Sequence, residues 1–359
     1  MIRTRGLTKD FTVSRTHTVH AVRGIDLDIA AGELVAVLGP NGAGKTTTMR
    51  MLTTLIRPTS GSAHVAGLDV TARPAEVRRR IGYVGQGNGA GHNQRARDEI
   101  VTQGVIYGLD RRAARQRADD LVDALDLTDF AAHKVADLSG GQRRRLDVAL
   151  GLVHAPRLLF LDEPSTGLDP HNRANLWEHI LRLRAQYDMT IALTTHYLDE
   201  ADTMADRVVI VDHGRIIADD TASALKRDLA GDRVEVRTAA GDGLPGSAAP
   251  PEAAQVAALL ERLPGAREVA VDGARVTARV ADSATAVPEI VRAAAGLGVV
   301  ISTATGITPT LDDVFLNLTG RSLRETHSDG ADTSPADAAP ATTHAPTDRD
   351  ALVAGKDAR

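Results

Sequence analysis

The eight residues GPNGAGKT, Gly39 to Thr46, constrain the fold of this chain more than any other stretch. They match G-x-x-x-x-G-K-[ST], and the context that the motif demands is present: the apolar run ELVAVL precedes them and the helix-forming KTTTMRMLTTLI follows. A strand, a glycine loop and a helix in that order turn successive backbone N–H groups toward phosphate oxygens, with the positive end of the helix behind them. Gly39, Gly42 and Gly44 permit the curl, and Pro40, Asn41 and Ala43 complete the loop. Lys45 is placed to reach the β- and γ-phosphates of a nucleoside triphosphate and Thr46 to set its hydroxyl on Mg²⁺, with Thr47 beside them in the first helical turn. The competing reading is a glycine-rich turn that fits by chance, and the two correct flanks weigh against it.

Over the first ~230 residues, short apolar runs alternate with helical patterns, as in an α/β fold with a parallel sheet. The clearest buried strands are Leu34–Leu38, Leu158–Leu161, Ile191–Leu193 and Val208–Val211, and the runs end in Gly, Asp or Thr rather than in hairpin turns. In RLLFLDEP a strand runs out at Asp162 and Glu163, so two acids lie at the C-terminal edge of the sheet, where such sheets bind ligands. Asp162 suits hydrated Mg²⁺, and Glu163 suits a general base that orients and polarises the attacking water. From about Ala96 to Leu127 strands give way to apolar residues at helical spacing, including Leu121, Val122 and Leu125, which predicts a helical insert spanning roughly 90–150.

Composition removes several classes of function. A chain of 359 residues without cysteine has no disulfide, thiolate metal site or thiol nucleophile, which fits a reducing compartment. A formal net charge of -5 argues against a broadly basic face for nucleic acid. No run approaches the ~18 apolar residues of a membrane span, so any membrane part is expected in another chain. His171, His179 and His213 lack ligand spacing, so no structural zinc is expected, and His64 and Asp69 read as surface and turn residues.

The stretch LSGGQRRRLDVAL, Leu138 to Leu150, opens a helix with Ser-Gly-Gly yet has no base or metal ligand beside the serine. Together with the phosphate loop and the Asp-Glu strand end, it identifies residues 1 to about 230 as similar to an ABC ATPase, the nucleotide-binding subunit of an ATP-binding cassette transporter. The resemblance implies a RecA-like core with an antiparallel β-segment, at RPTSGSAHVAGLDV, and the helical insert. It further implies ATP and Mg²⁺ as ligands and a homodimer in which each LSGGQ aims its helix start at the γ-phosphate held by the other copy. Ser139, Gly140, Gly141 and Gln142 are then anion-binding residues, the serine binding rather than attacking; an ordinary serine N-cap is the plain alternative. Arg143, Arg144 and Arg145 read as a solvated or interface-facing stretch, with Leu146, Ala149, Leu150 and Val153 as the buried stripe.

Further positions carry over from the resemblance. Gln86 in IGYVGQG matches the glutamine that contacts Mg²⁺ or water, Asp169 in STGLD an inter-cassette contact, and His196 in LTTHYLDEAD the histidine that bonds the γ-phosphate. Phe11 in LTKDF stands where an aromatic ring stacks on adenine, with a core phenylalanine as competitor. The segment GNGAGHNQRARDEI departs from the family's acidic or aromatic pattern at the place where a cassette grips its permease, although Arg97 and Glu99 fall near the usual helix start.

From Asp232 the order strand, helix, two strands, helix, strand predicts a small ferredoxin-like α+β domain over 231–322, and the residues from 323 to 359 read as a disordered tail. Thr308 to Arg321, TPTLDDVFLNLTGR, resembles the C-terminal signature of daunorubicin-resistance-type exporter cassettes, with Leu311, Val314, Phe315 and Leu318 at helical spacing for docking against its own domain or a cassette. The resemblance implies a peripheral ATPase at the cytoplasmic face of the membrane, energising export of a hydrophobic drug or antibiotic through a separate permease. The competing class, a soluble ABC ATPase acting on ribosomes or DNA, is disfavoured by the single cassette and short insert, and a P-loop kinase or GTPase leaves LSGGQ without a role.

Overall fold

Strands that are apolar on both faces need helices on both sides of the sheet, and the chain alternates to supply them. The computed structural model describes residues 1–87, 89–239 and 250–322. The expected disordered tail at 323–359 lies outside the described residues, as do Asn88 and most of the Pro/Gly-rich loop before the first helix of the C-terminal unit.

The chain opens with a long hairpin, β1 (Ile2–Ser14) and β2 (His17–Ile29), then β3 (Leu34–Leu38), α1 (Lys45–Leu52), β4 (Ser60–Val65), β5 (Leu68–Asp69), α2 (Pro74–Arg80) and β6 (Ile81–Val84). Helices α3 (Ala96–Ile106), α4 (Arg111–Ala124) and α5 (Gly140–Leu152) form the insert. The sheet resumes with β7 (Leu158–Asp162), α6 (Pro170–Tyr187), β8 (Thr190–Thr195), α7 (Leu198–Met204), β9 (Arg207–Asp212), β10 (Arg215–Asp220) and the single turn α8 (Ala222–Leu225).

Six strands pair in the order β10-β9-β3-β8-β7-β6; β9 through β6 are parallel and β10 is an antiparallel edge. Every residue of β3, β7 and β8 is buried. Because β8 lies between β3 and β7, the loop after β3 and the acids ending β7 flank the end of β8. A second sheet, β2-β1-β4-β5, is antiparallel and covers the α1 face, where Leu7, Val22 and Ile25 share a core with Val35, Met49 and Val209.

Three sequence readings need correction. Strand β9 does end in a hairpin, through His213 and Gly214, the glycine at φ 77° and the histidine at φ 46°. The helix after the phosphate loop stops at Leu52, because Thr54 takes φ 64° and reverses the chain before Ile56. Helix α5 is buried on nearly every side, Arg144, Arg145, Val148 and Leu152 included, rather than along one stripe. It is hemmed in by α3, α4, α6 and β6, and a Cβ on Gly82 of β6 would lie 2.3 Å from the Gly151 carbonyl of α5, so only glycine permits that approach.

The C-terminal elements are β11 (Asp232–Thr238), α9 (Pro251–Leu260), β12 (Arg267–Asp272), β13 (Arg275–Val280), α10 (Ser283–Gly296), β14 (Ile301–Ile307) and α11 (Leu311–Thr319). Their antiparallel sheet, β12-β13-β11-β14, has the ferredoxin-like order, and α9 and α10 close a core around Val234, Val236, Val256, Leu260, Val276 and Ile290. Helix α11 leaves that core. Leu311, Val314 and Phe315 join the main core beside Ala222, Leu225 and Ala230, which settles the choice between its own domain and the cassette in favour of the cassette. Thr310 and Asp313 form a capping box at its start, and past its Gly320 cap Arg321 donates to Asp212 Oδ1 at 2.7 Å and lies 3.1 Å from His213 Nε2.

Truncating Phe315, one of the largest fully buried side chains, to alanine should lower stability by about 3–5 kcal/mol. Urea unfolding followed by tryptophan fluorescence should show an earlier midpoint for Phe315→Ala, whereas a surface change such as Leu316→Ala should leave it nearly unmoved.

Candidate functional site

The phosphate loop holds its shape through positions that admit no side chain. A Cβ on Gly39 would lie 2.2 Å from the Val211 carbonyl, and Gly44 takes φ 100° with its would-be Cβ 2.5 Å from the Ala21 carbonyl. The β9–β10 turn seals the loop from outside, Gly214 N donating to the Ala43 carbonyl at 2.9 Å. Pro40 is buried while Asn41 and Gly42 are exposed, so the mouth of the loop opens between them.

Inside the loop Lys45 Nζ donates to the Gly39 carbonyl at 2.7 Å and the Pro40 carbonyl at 3.1 Å, and lies 3.7 Å from Glu163 Oε1. Burial lowers its pKa from the ordinary lysine value, against the opposing pull of Glu163 and Asp162. The ammonium is thus held by carbonyls of the loop itself.

Asp162 stands at the centre. Its Oδ1 accepts from Thr46 Oγ1 at 3.0 Å and from Thr194 Oγ1 at 2.6 Å, while its buried Oδ2 makes no close hydrogen bond among the described residues, the Tyr83 hydroxyl interacting with this carboxylate at longer range. Burial raises its pKa, and the two hydroxyl bonds offset this only in part. Gln86 Nε2 lies 3.3 Å from Thr46 Oγ1, so Thr46, Asp162 and Gln86 converge. A hydroxyl, a carboxylate with an unsatisfied oxygen and an amide that can turn its oxygen inward make a hard oxygen donor set, which fits Mg²⁺.

Glu163 takes φ 48°, in the left-handed region, and its N–H donates to the Thr194 carbonyl at 3.0 Å. This turn brings the carboxylate between Lys45 and His196, whose Nδ1 is 3.3 Å from Glu163 Oε2; Thr166 Oγ1 donates to the same oxygen at 3.3 Å. Burial pushes the Glu163 carboxyl up, but the His196 imidazole and the Lys45 charge prevail and hold it below the usual range. It is therefore a carboxylate near neutral pH, able to accept a proton. Thr47, half-exposed, follows Thr46 along α1.

Other predicted residues lie apart from this cluster. Ser139 and Gly140 are exposed, and α5 begins with a capping box in which Ser139 Oγ accepts from Gln142 N at 3.3 Å and Gln142 Oε1 accepts from Ser139 N at 2.8 Å. The hydroxyl proton and the first N–H groups of α5 are not consumed by that box. Gly141 meets α6, since its Cβ would lie 2.5 Å from Asn172 Oδ1, and Asp169 caps α6 by accepting from Asn172 N at 2.9 Å. Phe11 is 39% exposed on β1 with the Lys9 ammonium 5.1 Å from its ring centre, which excludes the core reading.

The arginines correct the sequence reading most. Arg144 and Arg145 are buried, and Arg143 turns back onto the Val135, Ala136 and Leu138 carbonyls at 3.2–3.3 Å. Loop carbonyls of Gly85 and Pro164 draw Arg144 inward, while Arg145 meets the Asn175 side chain and the Asp126 carbonyl. Sequence reasoning also passed over Thr194 and over Glu200, a buried carboxylate that accepts from Ser165, from Thr195 Oγ1 at 2.7 Å and from Trp177 Nε1 at 2.9 Å. An acid four residues after His196, on a helix beside the sheet edge, was the available signal.

Comparison with known proteins follows the same lines. A family model described as ABC transporter matches residues 22–166. The chain is 43% identical over 307 residues to the daunorubicin resistance ATP-binding protein DrrA2 of Streptomyces coeruleorubidus, covering 85% of this chain and 92% of that protein. The chain belongs to the ABC transporter family, as an ATPase cassette. It is also 34% identical over 310 residues to the Nod factor export ATP-binding protein I of Burkholderia lata, covering 85% of the cassette chain and 93% of that protein. Among solved structures, the dimeric post-hydrolysis state of the ATP-binding cassette MJ0796 bound to ADP and Pi shares the fold, with TM-score 0.57 and 23% identity over 62% of this chain and 98% of that one. Among the described residues no helix is long and apolar enough to cross a membrane.

The raised pKa of Asp162 predicts a stability effect of known sign. Above that pKa the buried carboxylate is charged and costs stability, and the cost is relieved as pH falls through it. Nucleotide-free Asp162→Asn should therefore melt a few degrees higher than the parent at pH 7.5, at about 2–4 °C per kcal/mol, with the gap closing toward pH 4 in calorimetric scans.

Proposed function

We propose that this cassette binds and hydrolyses ATP to energise export of a hydrophobic drug or antibiotic through a separate membrane permease, working at the cytoplasmic face of the membrane as an ATP-sandwich homodimer. The observation that carries this reading is the Glu163 carboxyl held 3.7 Å from Lys45 and 3.3 Å from His196, beside an Asp162 oxygen that makes no close hydrogen bond among the described residues. Export is supported by relatives covering more than nine-tenths of their own length, one bearing a daunorubicin-resistance name and the other a Nod factor export name.

In this reading the triphosphate takes backbone N–H groups of the loop from Asn41 to Thr46, and Lys45 shifts from the Gly39 and Pro40 carbonyls to the β- and γ-phosphates. Thr46, Asp162 and Gln86 are the residues that would hold Mg²⁺, which when bound neutralises charge on the phosphate oxygens. Glu163 takes the proton of the attacking water, His196 keeps that carboxylate and the γ-phosphate aligned, and Phe11 lays its exposed ring on adenine. Ser139 to Gln142 and Asp169 serve the neighbouring copy. An exposed α5 start with open N–H groups fits an anion arriving from outside its own chain, and a solved cassette of this fold is a dimer.

Glu163→Gln should bind ATP normally, hydrolyse it about 100-fold or more slowly, and elute as a stable dimer with ATP in size-exclusion chromatography. Unimpaired hydrolysis would remove Glu163 from its role, and a strictly monomeric protein at saturating ATP would exclude the sandwich. Lys45→Ala should lose nucleotide binding in equilibrium dialysis and abolish drug tolerance in cells that co-express the permease.

A further inference from the structure

We infer that Arg144 and Asp147, on the helix that begins with LSGGQ, form a buried brace that positions Glu163 and Gln86 and ties both to the start of that helix. The inference rests on Glu163 being the general base.

The two residues stand one turn apart on α5 and are 8% and 5% exposed. Arg144 spends its donors on backbone: Nε on the Pro164 carbonyl at 2.5 Å, Nη1 on the Gly85 carbonyl at 2.7 Å, and Nη2 on the Glu163 and Asp162 carbonyls at 3.4 and 3.5 Å. Asp147 Oδ1 accepts from Gly89 N at 2.9 Å, the Ala90 N–H also faces this carboxylate, and Oδ2 lies 3.9 Å from Arg144 Nη1. One ion pair thus grips the chain on both sides of Gln86 and the turn that carries Glu163.

That turn needs such a partner. Strand β6 pairs with β7 only as far as Val84 opposite Leu161, so on that side the chain from Asp162 onward runs past the β6–β7 ladder, and the Glu163 carbonyl otherwise meets only Thr166 N at 3.4 Å. Glu163 adopts a left-handed backbone that costs a non-glycine residue about 1 kcal/mol, and it holds only when its surroundings over-determine it. A planar guanidinium with several fixed donors can meet those carbonyls together; an ammonium cannot. Burial disfavours both charges, pushing the Asp147 carboxyl up and the Arg144 guanidinium down, so the pair is a poor source of net stability and its geometric effect is the larger one. Neither residue touches the nucleotide-facing atoms, and each acts through the backbone it holds.

The test is steady-state hydrolysis and nucleotide binding by the full chain carrying Arg144→Lys, alone and together with Glu163→Gln. With Arg144→Lys, kcat should fall about 10- to 100-fold, as displacement of a base by about 1 Å does, with KM and the affinity for a fluorescent ATP analogue within about threefold of the parent. On the Glu163→Gln background the same change should cost at least several-fold less than on the parent, because the base being positioned is gone and only the Gln86 side of the brace is left. An Arg144→Lys enzyme whose kcat stays within about threefold, or a loss seen mainly in KM, or an equal fold-loss on both backgrounds, overturns the brace. If Arg144→Lys does not fold by circular dichroism, Asp147→Asn decides: kcat reduced with affinity kept supports the brace, and unchanged kcat overturns it. Slow turnover in Glu163→Gln beside normal turnover in Arg144→Lys rejects the brace alone, whereas fast turnover in Glu163→Gln rejects the general-base reading beneath it.

Discussion

Two threonine hydroxyls hold one carboxylate, and the rest of the site is arranged around that contact. Thr46 belongs to the helix after β3, Thr194 to the end of β8, and Asp162 to the end of β7, so the bonds to Asp162 Oδ1 cross three adjacent strands at one edge of the sheet. Their geometry follows from parallel register: Asp162 pairs with Thr194, and Thr195 with Leu38, which places the three strand ends level. Burial makes a charged carboxylate there unfavourable, as its raised pKa indicates. In the function proposed above, that same charge serves the cation of a nucleotide complex.

Much of this was legible from residue order. The Gly-Lys-Thr loop between strand and helix, the acids ending an apolar strand and the histidine ending another each declare their place, because a parallel sheet sends every strand end to the same edge. Arg144 could not be read that way. Three consecutive arginines on a helix look solvated, and the burial of Arg144 depends on which carbonyls the distant strand ends leave open, a property of the assembled sheet. Hairpins were missed for a related reason. The His213–Gly214 turn carries an accommodating glycine, but the apolar run before it matches the parallel strands, so composition alone did not mark β10 as an antiparallel edge.

The C-terminal unit shows the limit of local patterning. Its βαββαβ order is visible in period and turn residues, and its core closes on itself around Val234, Val236 and Val276. Helix α11 has the same amphipathic spacing whichever surface it covers. What decides is the unfilled apolar ground around Ala222, Leu225 and Ala230, which Leu311, Val314 and Phe315 complete. The unit is thereby stapled to the cassette by its last helix.

That staple ends at the β9–β10 turn. Arg321 grips Asp212 and reaches His213, while the next residue, Gly214, bonds Ala43 in the phosphate loop and accepts from Arg23 N at 2.8 Å. The end of α11 and the nucleotide cradle are therefore joined through a single tight bend. Whatever leans on the C-terminal unit has a short, stiff lever on the grip around ATP.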